Sequence, residues 1–204
     1  EGEDFLTIRE ETSWNNGVYG KLPVKCCNRC GFLMQNPKFD KQFYHDYYSK
    51  SYRENTKGAL APKQEYIDDQ IVRGRLVFET LSRYINTNKK CVIADIGSSV
   101  GGFLIPFKAH GWEVYGVDPD KGYVEYGKNT LGLNVEYANA EDIILKEKHY
   151  DVIIIMGSLE HVYDPNKVLE ICRKASKEDA ILVLEGRGEA RGFSKDYFNQ
   201  SHHR

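Results

Sequence analysis

Apolar residues follow two different periods along this chain, and the change between them marks its elements. From Gln64 to about Asn86, apolar side chains recur near the helical period, which predicts a long amphipathic helix. From about Lys90 onward, short runs of consecutive apolar residues alternate with polar and glycine-containing segments. Such runs are typical of parallel strands that are buried on both faces. The pattern therefore predicts a core of alternating strands and helices over about residues 90–185.

The first of these runs, Val92-Ile93-Ala94, leads through Asp95 into the turn GSSVGG at residues 97–102. Glycine at such a turn lets the backbone approach a ligand closely. The turn lacks the middle glycine of the dinucleotide-binding pattern Gly-x-Gly-x-x-Gly. The Asp95 carboxylate would also repel phosphates, but it could accept a hydrogen bond from a cationic amino group. We therefore expect a nucleoside-bearing cofactor without phosphates.

Three further segments follow the turn in a regular order. A second apolar run ends in Asp118 and Pro119, and an acid in this place can hold both hydroxyls of a ribose. A short third run precedes Asn139 and Ala140, and a fourth run ends near Met156 and is followed by EHVYDP at residues 160–165. Polar side chains thus follow each predicted strand, where the carboxyl ends of parallel strands open onto a ligand crevice.

Taken together, these segments resemble the class I S-adenosylmethionine-dependent methyltransferases. The resemblance implies an α/β fold with a Rossmann-like, doubly wound and mostly parallel sheet, and S-adenosylmethionine as the cofactor. Asn139 stands where the family usually has Asp, and its side-chain oxygen could still accept a hydrogen bond from the adenine amine. The cofactor-binding positions carried over from the family are Asp95, Gly97, Ser98, Gly101, Gly102, Phe103, Asp118, Pro119, Asn139, Ala140 and Met156.

His161 is the first candidate for a base that takes a proton from a hydroxyl acceptor. It follows the fourth strand, and an unperturbed histidine has a pKa of about 6.5, which suits this role at neutral pH. A structural role, in which His161 only braces the cofactor loop, stays open. His202 is the competing base, and Tyr163 could orient the acceptor. Glu141 and Asp142 are expected to be solvated residues at a helix start, without chemistry.

Three of the five cysteines lie close together near the N-terminus. Cys27-x-x-Cys30 has the spacing of a zinc knuckle, in which two thiolates share one tetrahedral ion. Only half of such a site is visible, because a structural zinc needs four ligands and no second Cys-x-x-Cys precedes it. A zinc site and a metal-free half knuckle both stay open, with Cys26 as a possible extra ligand.

The half knuckle and the aromatic run after it are similar to the leader of methyltransferases that act on sugars and cell-surface polysaccharides. In those relatives, a hairpin with two knuckles precedes an aromatic helix and the cofactor domain. We therefore expect a leader over residues 1–60 and a methyltransferase domain over residues 61–204, with its core at about 90–185. Tyr47, Tyr48 and Tyr52 are expected to form the packing face of the leader helix or, alternatively, a lid over the cofactor.

The predicted sheet is expected to lack the family's C-terminal strands, because only residues 186–204 follow the fifth apolar run, Ala180 to Glu185. Roughly another 40 residues would be needed for a helix and a hairpin of ordinary length. Both ends of the chain are thus expected to be shorter than in similar enzymes.

Charge and hydropathy narrow the class of partner. The chain has 28 Lys and Arg against 30 Asp and Glu, and no sustained basic run, whereas nucleic-acid binding normally needs a basic face. No stretch approaches the roughly 20 apolar residues of a membrane-spanning helix. We expect a cytoplasmic protein that acts on a small molecule and not on nucleic acid, and the sequence leaves its oligomeric state open.

The expected function is transfer of a methyl group from S-adenosylmethionine to a sugar or nucleotide sugar of a surface-polysaccharide pathway. Two alternatives stay open at this point. One is O-methylation of a quinone or lipid, because Glu-His-Val-x-Asp-Pro also occurs in relatives that methylate quinones. The other is a cofactor-binding domain without catalysis.

Overall fold

The computed structural model describes residues 4–9, 23–35, 39–52, 62–86 and 89–186. In the described part of the leader, three short strands, β1 (Phe5–Arg9), β2 (Val24–Cys27) and β3 (Leu33–Gln35), form an antiparallel sheet in that order. Helix α1 (Lys41–Asp46) follows and continues into a π-helical turn, Tyr47–Ser51. The expected aromatic helix is therefore present, and the hairpin that carries the half knuckle is joined by a strand that the sequence pattern did not predict.

Helix α2 runs over Gln64–Leu81 and ends earlier than expected because the chain turns at residues 82–84. Up to residue 186, five strands and three more α-helices are described. The strands are β4 (Val92–Ile96), β5 (Glu113–Asp118), β6 (Val135–Tyr137), β7 (Tyr150–Met156) and β8 (Ser176–Glu185). The helices are α3 (Ile105–Ala109), α4 (Lys121–Asn129) and α5 (Pro165–Ala175).

The five strands form one parallel sheet in the order β6-β5-β4-β7-β8. The strand order reverses between β4 and β7, and ligands bind outside the carboxyl ends of strands at such a point. This arrangement confirms the predicted Rossmann-like, doubly wound fold. Strand β8 begins four residues before the expected start at Ala180, because a register irregularity lets Ser176 pair with Tyr150 ahead of the regular ladder.

Helices cover both faces of the five-stranded sheet. On one face, Ile93 and Ile154 pack against α3 and the aromatic ring of Phe107, while Ala94 and Ile153 on the other face pack with residues of α5 such as Val168. The central strands are therefore apolar at consecutive positions, which is why their sequence shows runs without alternation. Within the described ranges, no helix is long and apolar enough to cross a membrane.

Candidate functional site

A cavity of about 390 Å³ lies at the carboxyl ends of β4, β5 and β7. Its floor comes from the sheet, and its walls come from α2 and from the leader segment over α1 and the π-helical turn. A volume of this size is within the range of small-molecule sites, roughly 300–1,000 Å³. The cavity therefore occupies the position that the fold provides for a ligand.

Most of the sequence-predicted cofactor residues line this cavity. Three of them, Ser98, Gly101 and Gly102, are buried in and behind the glycine turn and are not part of the lining. The predicted residues that line it are Asp95, Gly97, Phe103, Asp118, Pro119, Asn139, Ala140 and Met156.

The glycine turn is bound to the neighbouring strand by its backbone. The N–H groups of Gly97 and Ser98 donate to the carbonyl oxygen of Val117 in β5, at 2.8 and 2.9 Å. Gly97 has a φ of +82°, and a Cβ there would lie 2.5 Å from the hydroxyl oxygen of Ser158. A side chain is therefore excluded at this position both by backbone conformation and by space.

Asp118 is buried at the end of β5, and backbone groups fix both of its carboxylate oxygens. Oδ2 accepts from the Ser99 N–H at 2.7 Å, and Oδ1 accepts from the Asp120 N–H at 2.9 Å. Each carboxylate oxygen has a second lone pair, so the side chain can still accept hydrogen bonds from hydroxyl groups in the cavity. The protein thus holds this carboxylate in one orientation before any ligand binds.

Asp95 is fully buried beneath the cavity and lies close enough to Asp118 for the two carboxyl groups to repel each other. Burial raises the pKa of Asp95 to about 8, with a further increase from Asp118 and a partial decrease from the Arg73 guanidinium. A buried carboxyl group of this kind gains most from a cation placed beside it. Arg73 also lines the cavity, where it pairs with Glu185 and lies over the ring of Phe103.

The leader contributes Tyr48 and Tyr52 to the cavity, for which the sequence left a packing face and a lid open, and also Tyr44 and His45, which the sequence did not assign to the site. The hydroxyl of Tyr48 lies 2.8 Å from Nδ1 of His161, and the other ring nitrogen, Nε2, is buried. The ring of Tyr44 packs edge-on against Tyr163, with centroids 5.9 Å apart. The roles of His161 and Tyr163 stay predictions, and His202 lies outside the described residues.

Helix α1 is docked on the loop after β6. The amide nitrogen of Asn139 lies 3.2 Å from Nδ1 of His45, and the Lys41 ammonium is paired with Asp142 at 2.7 Å. Both contacts join residues far apart in the chain, so sequence periodicity could not reveal them. The leader therefore packs directly on the loop that carries Asn139.

Glu141 is buried, so the expectation of a solvated residue was wrong. Its Oε1 accepts from the backbone N–H groups of Tyr163 and Asp164, at 2.6 and 3.2 Å. A carboxylate that accepts hydrogen bonds from two backbone donors can be buried at moderate cost. Glu141 thereby joins the loop after β6 to the start of α5. Asp142 is exposed, as expected, although it is ion-paired.

Cys27 and Cys30 lie at the two ends of the turn between β2 and β3. Hydrogen bonds from the backbone of Arg29 and of Cys30 lower the pKa of Cys27, which favours its thiolate form. In the part of the chain that the structure describes, no three His, Cys, Asp or Glu side chains lie together as a metal site would require. The donor set described here is therefore too small to close a tetrahedral zinc site.

The fold and the cavity define a Rossmann-like domain built to hold a nucleoside-bearing ligand. Residues 65–201 match the model of the family described as "Methyltransferase domain". The chain belongs to this methyltransferase family.

Comparisons with individual proteins agree with this assignment. The chain is 27% identical over 140 residues to the ubiquinone biosynthesis O-methyltransferase of Bradyrhizobium diazoefficiens. This aligned region covers 63% of the chain and 54% of that protein. It is 30% identical over 96 residues to the protein of the same name from Cereibacter sphaeroides, which covers 45% of the chain and 39% of that protein. The chain thus spans about half the length of the curated relatives it matches.

A solved structure from Pyrococcus horikoshii OT3 shares the fold, with a TM-score of 0.50 and 20% identity. The superposition covers 72% of this chain and 66% of that one.

Proposed function

We propose that this chain transfers a methyl group from S-adenosylmethionine to a hydroxyl oxygen of a small acceptor. The observation that carries the proposal is the pair of carboxyl groups at the ends of β4 and β5, of which Asp118 is held in one orientation by backbone N–H groups. Asp118 suits the two hydroxyls of a ribose, while Asp95 and Arg73 give the cavity one acidic and one basic group for a zwitterionic amino-acid moiety. Family membership supports the same cofactor.

A buried polar atom adds to this fit. Oε1 of Gln70 is buried, Gln70 lines the cavity, and no hydrogen-bond donor is paired with this oxygen among the described residues. Buried acceptors of this kind are uncommon unless a ligand or water satisfies them. A polar ligand group in the cavity that donates a hydrogen bond to Oε1 of Gln70 would remove the free-energy cost of burying an unpaired acceptor.

In methyl transfer, the main task of the protein is to position the two reactants. The sulfonium group of the bound cofactor supplies an already labile methyl group. The chain has to hold the acceptor oxygen in line with that methyl group, exclude water and accept the hydroxyl proton. His161 and Tyr48 are the proton-handling side chains that we place nearest to the acceptor, because they line the cavity as a hydrogen-bonded pair.

Aromatic rings on the leader side of the cavity favour an acceptor that contains a ring. Tyr44, Tyr48 and Tyr163 all line the cavity and present flat surfaces. The curated relatives are named as ubiquinone biosynthesis O-methyltransferases, which supports a phenolic hydroxyl as the first candidate acceptor. A sugar or nucleotide sugar is the second candidate, supported by the half knuckle and aromatic leader and by the suitability of tyrosine rings for stacking on a sugar.

The first test is calorimetric titration with S-adenosylhomocysteine, with NAD as the control ligand. We expect micromolar binding of S-adenosylhomocysteine alone. Methyl transfer is then measured with a catechol, 3,4-dihydroxybenzoate, and with a panel of nucleotide sugars. Turnover of either class identifies the acceptor type. Tight binding without any turnover would instead favour a non-catalytic cofactor-binding domain, and failure of a folded protein to bind S-adenosylhomocysteine would refute the proposal.

A further inference from the structure

The contact between Tyr48 and His161 joins two elements that are 113 positions apart in the chain. Tyr48 belongs to the π-helical turn of the leader, and His161 ends the short 3-10 turn after β7. Their rings also pack together, with centroids 5.2 Å apart, and Tyr52 packs on the same imidazole at 6.1 Å. The imidazole is therefore held by the leader on one side, and its orientation depends on residues outside the cofactor-binding strands.

The hydroxyl of Tyr48 keeps its proton over the working range of pH. Burial raises the pKa of Tyr48, and the neighbouring Tyr47, Tyr52, Tyr44 and Glu160 raise it further. Among the described residues, the structure gives this hydroxyl no hydrogen-bond partner other than Nδ1 of His161. A hydroxyl in this position can donate its proton to Nδ1 and keep its second lone pair towards the cavity.

This direction of donation corresponds to one imidazole tautomer. In that tautomer Nδ1 accepts and carries no proton, and the proton of the neutral ring lies on the buried Nε2. An acceptor molecule in the cavity then finds neither ring nitrogen open, since Nδ1 is covered by Tyr48 and Nε2 is buried. The group of this pair that an acceptor can reach is the oxygen of Tyr48, which has a second lone pair.

We propose that Tyr48 is a catalytic residue that relays the acceptor's hydroxyl proton to His161. This inference rests on the proposed methyl transfer to a hydroxyl group. The oxygen of Tyr48 accepts the proton of the acceptor hydroxyl while its own proton passes to Nδ1 of His161. His161 becomes an imidazolium ion, and Tyr48 ends as a neutral hydroxyl, so no phenolate accumulates.

The electrons of the step balance because the bond between sulfur and the methyl carbon breaks as the new bond to oxygen forms. The acceptor oxygen forms a bond to the methyl carbon as its O–H bond breaks. The carbon–sulfur bond breaks with its electron pair left on sulfur, which turns the sulfonium into a neutral thioether. After the product leaves, the proton held by His161 returns through the hydroxyl of Tyr48 to water in the cavity. No oxidant, reductant or metal ion is needed.

The test is the protonation state of His161 in the full chain, measured by two-dimensional ¹H–¹⁵N NMR of the imidazole rings at pH 7.5 to 8. His161→Gln assigns the signals of this ring by their loss. We expect an Nδ1 resonance typical of an unprotonated, hydrogen-bonded nitrogen and an Nε2 resonance typical of a protonated one. Tyr48→Phe should shift Nδ1 and change the pKa of His161. Tyr44→Phe makes the same chemical change on the preceding helix and should leave the His161 resonances unchanged.

An Nδ1 that carries the proton of the neutral ring would overturn the relay, because Tyr48 could not then pass a proton to it. Identical His161 resonances in wild type and Tyr48→Phe would also overturn it. Titration of the same samples with S-adenosylhomocysteine tests the proposed function separately, since the tautomer is read whether or not this ligand binds. If 3,4-dihydroxybenzoate is turned over, Tyr48→Phe should lower kcat by about a hundredfold or more with little change in KM, as for loss of proton transfer, and an unchanged kcat would overturn the relay.

Discussion

Binding of S-adenosylhomocysteine is expected to release a proton from Asp95, and Asp95→Asn should abolish that release. Burial raises the pKa of Asp95 to about 8, so about nine-tenths of the ligand-free protein carries this proton at pH 7. The ammonium group of the ligand favours the ionised carboxylate, which then gives up its proton on binding. An asparagine in the same place has no proton to release.

The size of the effect follows from the same pKa. Up to about 0.9 proton should leave per ligand bound at pH 7. The affinity of the wild type should rise by up to about tenfold per pH unit below pH 8 and then level off. Asp95→Asn should show a flat profile. At pH 8 and above, its affinity should be weaker by about 1.5–3 kcal/mol, the usual worth of a hydrogen bond to a charged group.

The assay is isothermal titration calorimetry at pH 6, 7 and 8 in buffers that differ in ionisation enthalpy, because the slope of observed heat against that enthalpy counts protons. Asp142→Asn is the matched control. Asp142 is exposed and paired with Lys41, which lowers its pKa, so its replacement should leave proton release intact. The reasoning is refuted if the wild type releases no proton, or if Asp95→Asn releases as many as the wild type.

Three further predictions concern stability and the ribose contact. Gly74→Ala should lower the free energy of unfolding by at least about 1–3 kcal/mol in urea titrations, because the new Cβ would lie 2.3 Å from the carbonyl oxygen of Phe103; wild-type stability would contradict this. Asp118→Ala should weaken S-adenosylhomocysteine binding by about 1.5–3 kcal/mol and reduce stability through the unpaired Ser99 N–H; unchanged affinity would remove the ribose role. In the ligand-free protein, the raised pKa of Asp95 means that the native state binds more protons than the unfolded state between about pH 4 and pH 8. Stability should therefore fall as pH rises through that window, by up to about 1.4 kcal/mol per unit, and less so in Asp95→Asn; equal slopes would exclude this source.

The cofactor side of the molecule could be predicted from the sequence because its signals are local. Consecutive apolar residues identify β4, β5 and β7, since most positions of a strand buried on both faces are apolar. The acidic residue at the end of β5 and the glycine turn after β4 lie within a few residues of those strands. Their place at one edge of the sheet follows from parallel pairing alone.

The side of the cavity that we propose for the acceptor could not be predicted in this way, because its contacts join distant segments. Nothing in the local pattern pairs Tyr48 with His161 or His45 with Asn139. Arg73 lies on a helix whose charged residues are mostly exposed, and periodicity does not show that part of this polar face borders a cavity. Glu141 was misjudged because its buried partners are backbone N–H groups, which every sequence contains.

Because the leader forms a wall of the ligand cavity, it matters where the chain is cut to prepare a fragment and which segment is substituted to change the cavity. The family match begins at residue 65, so a fragment cut at that boundary would keep the cofactor strands but lose the wall that holds His161. Conversely, substitutions confined to the leader can reshape the acceptor side without altering the Asp95 and Asp118 strands. Under the proposed function, altered acceptor preference is therefore expected from leader substitutions that face His161 and Tyr163 and that spare the contact between His45 and Asn139.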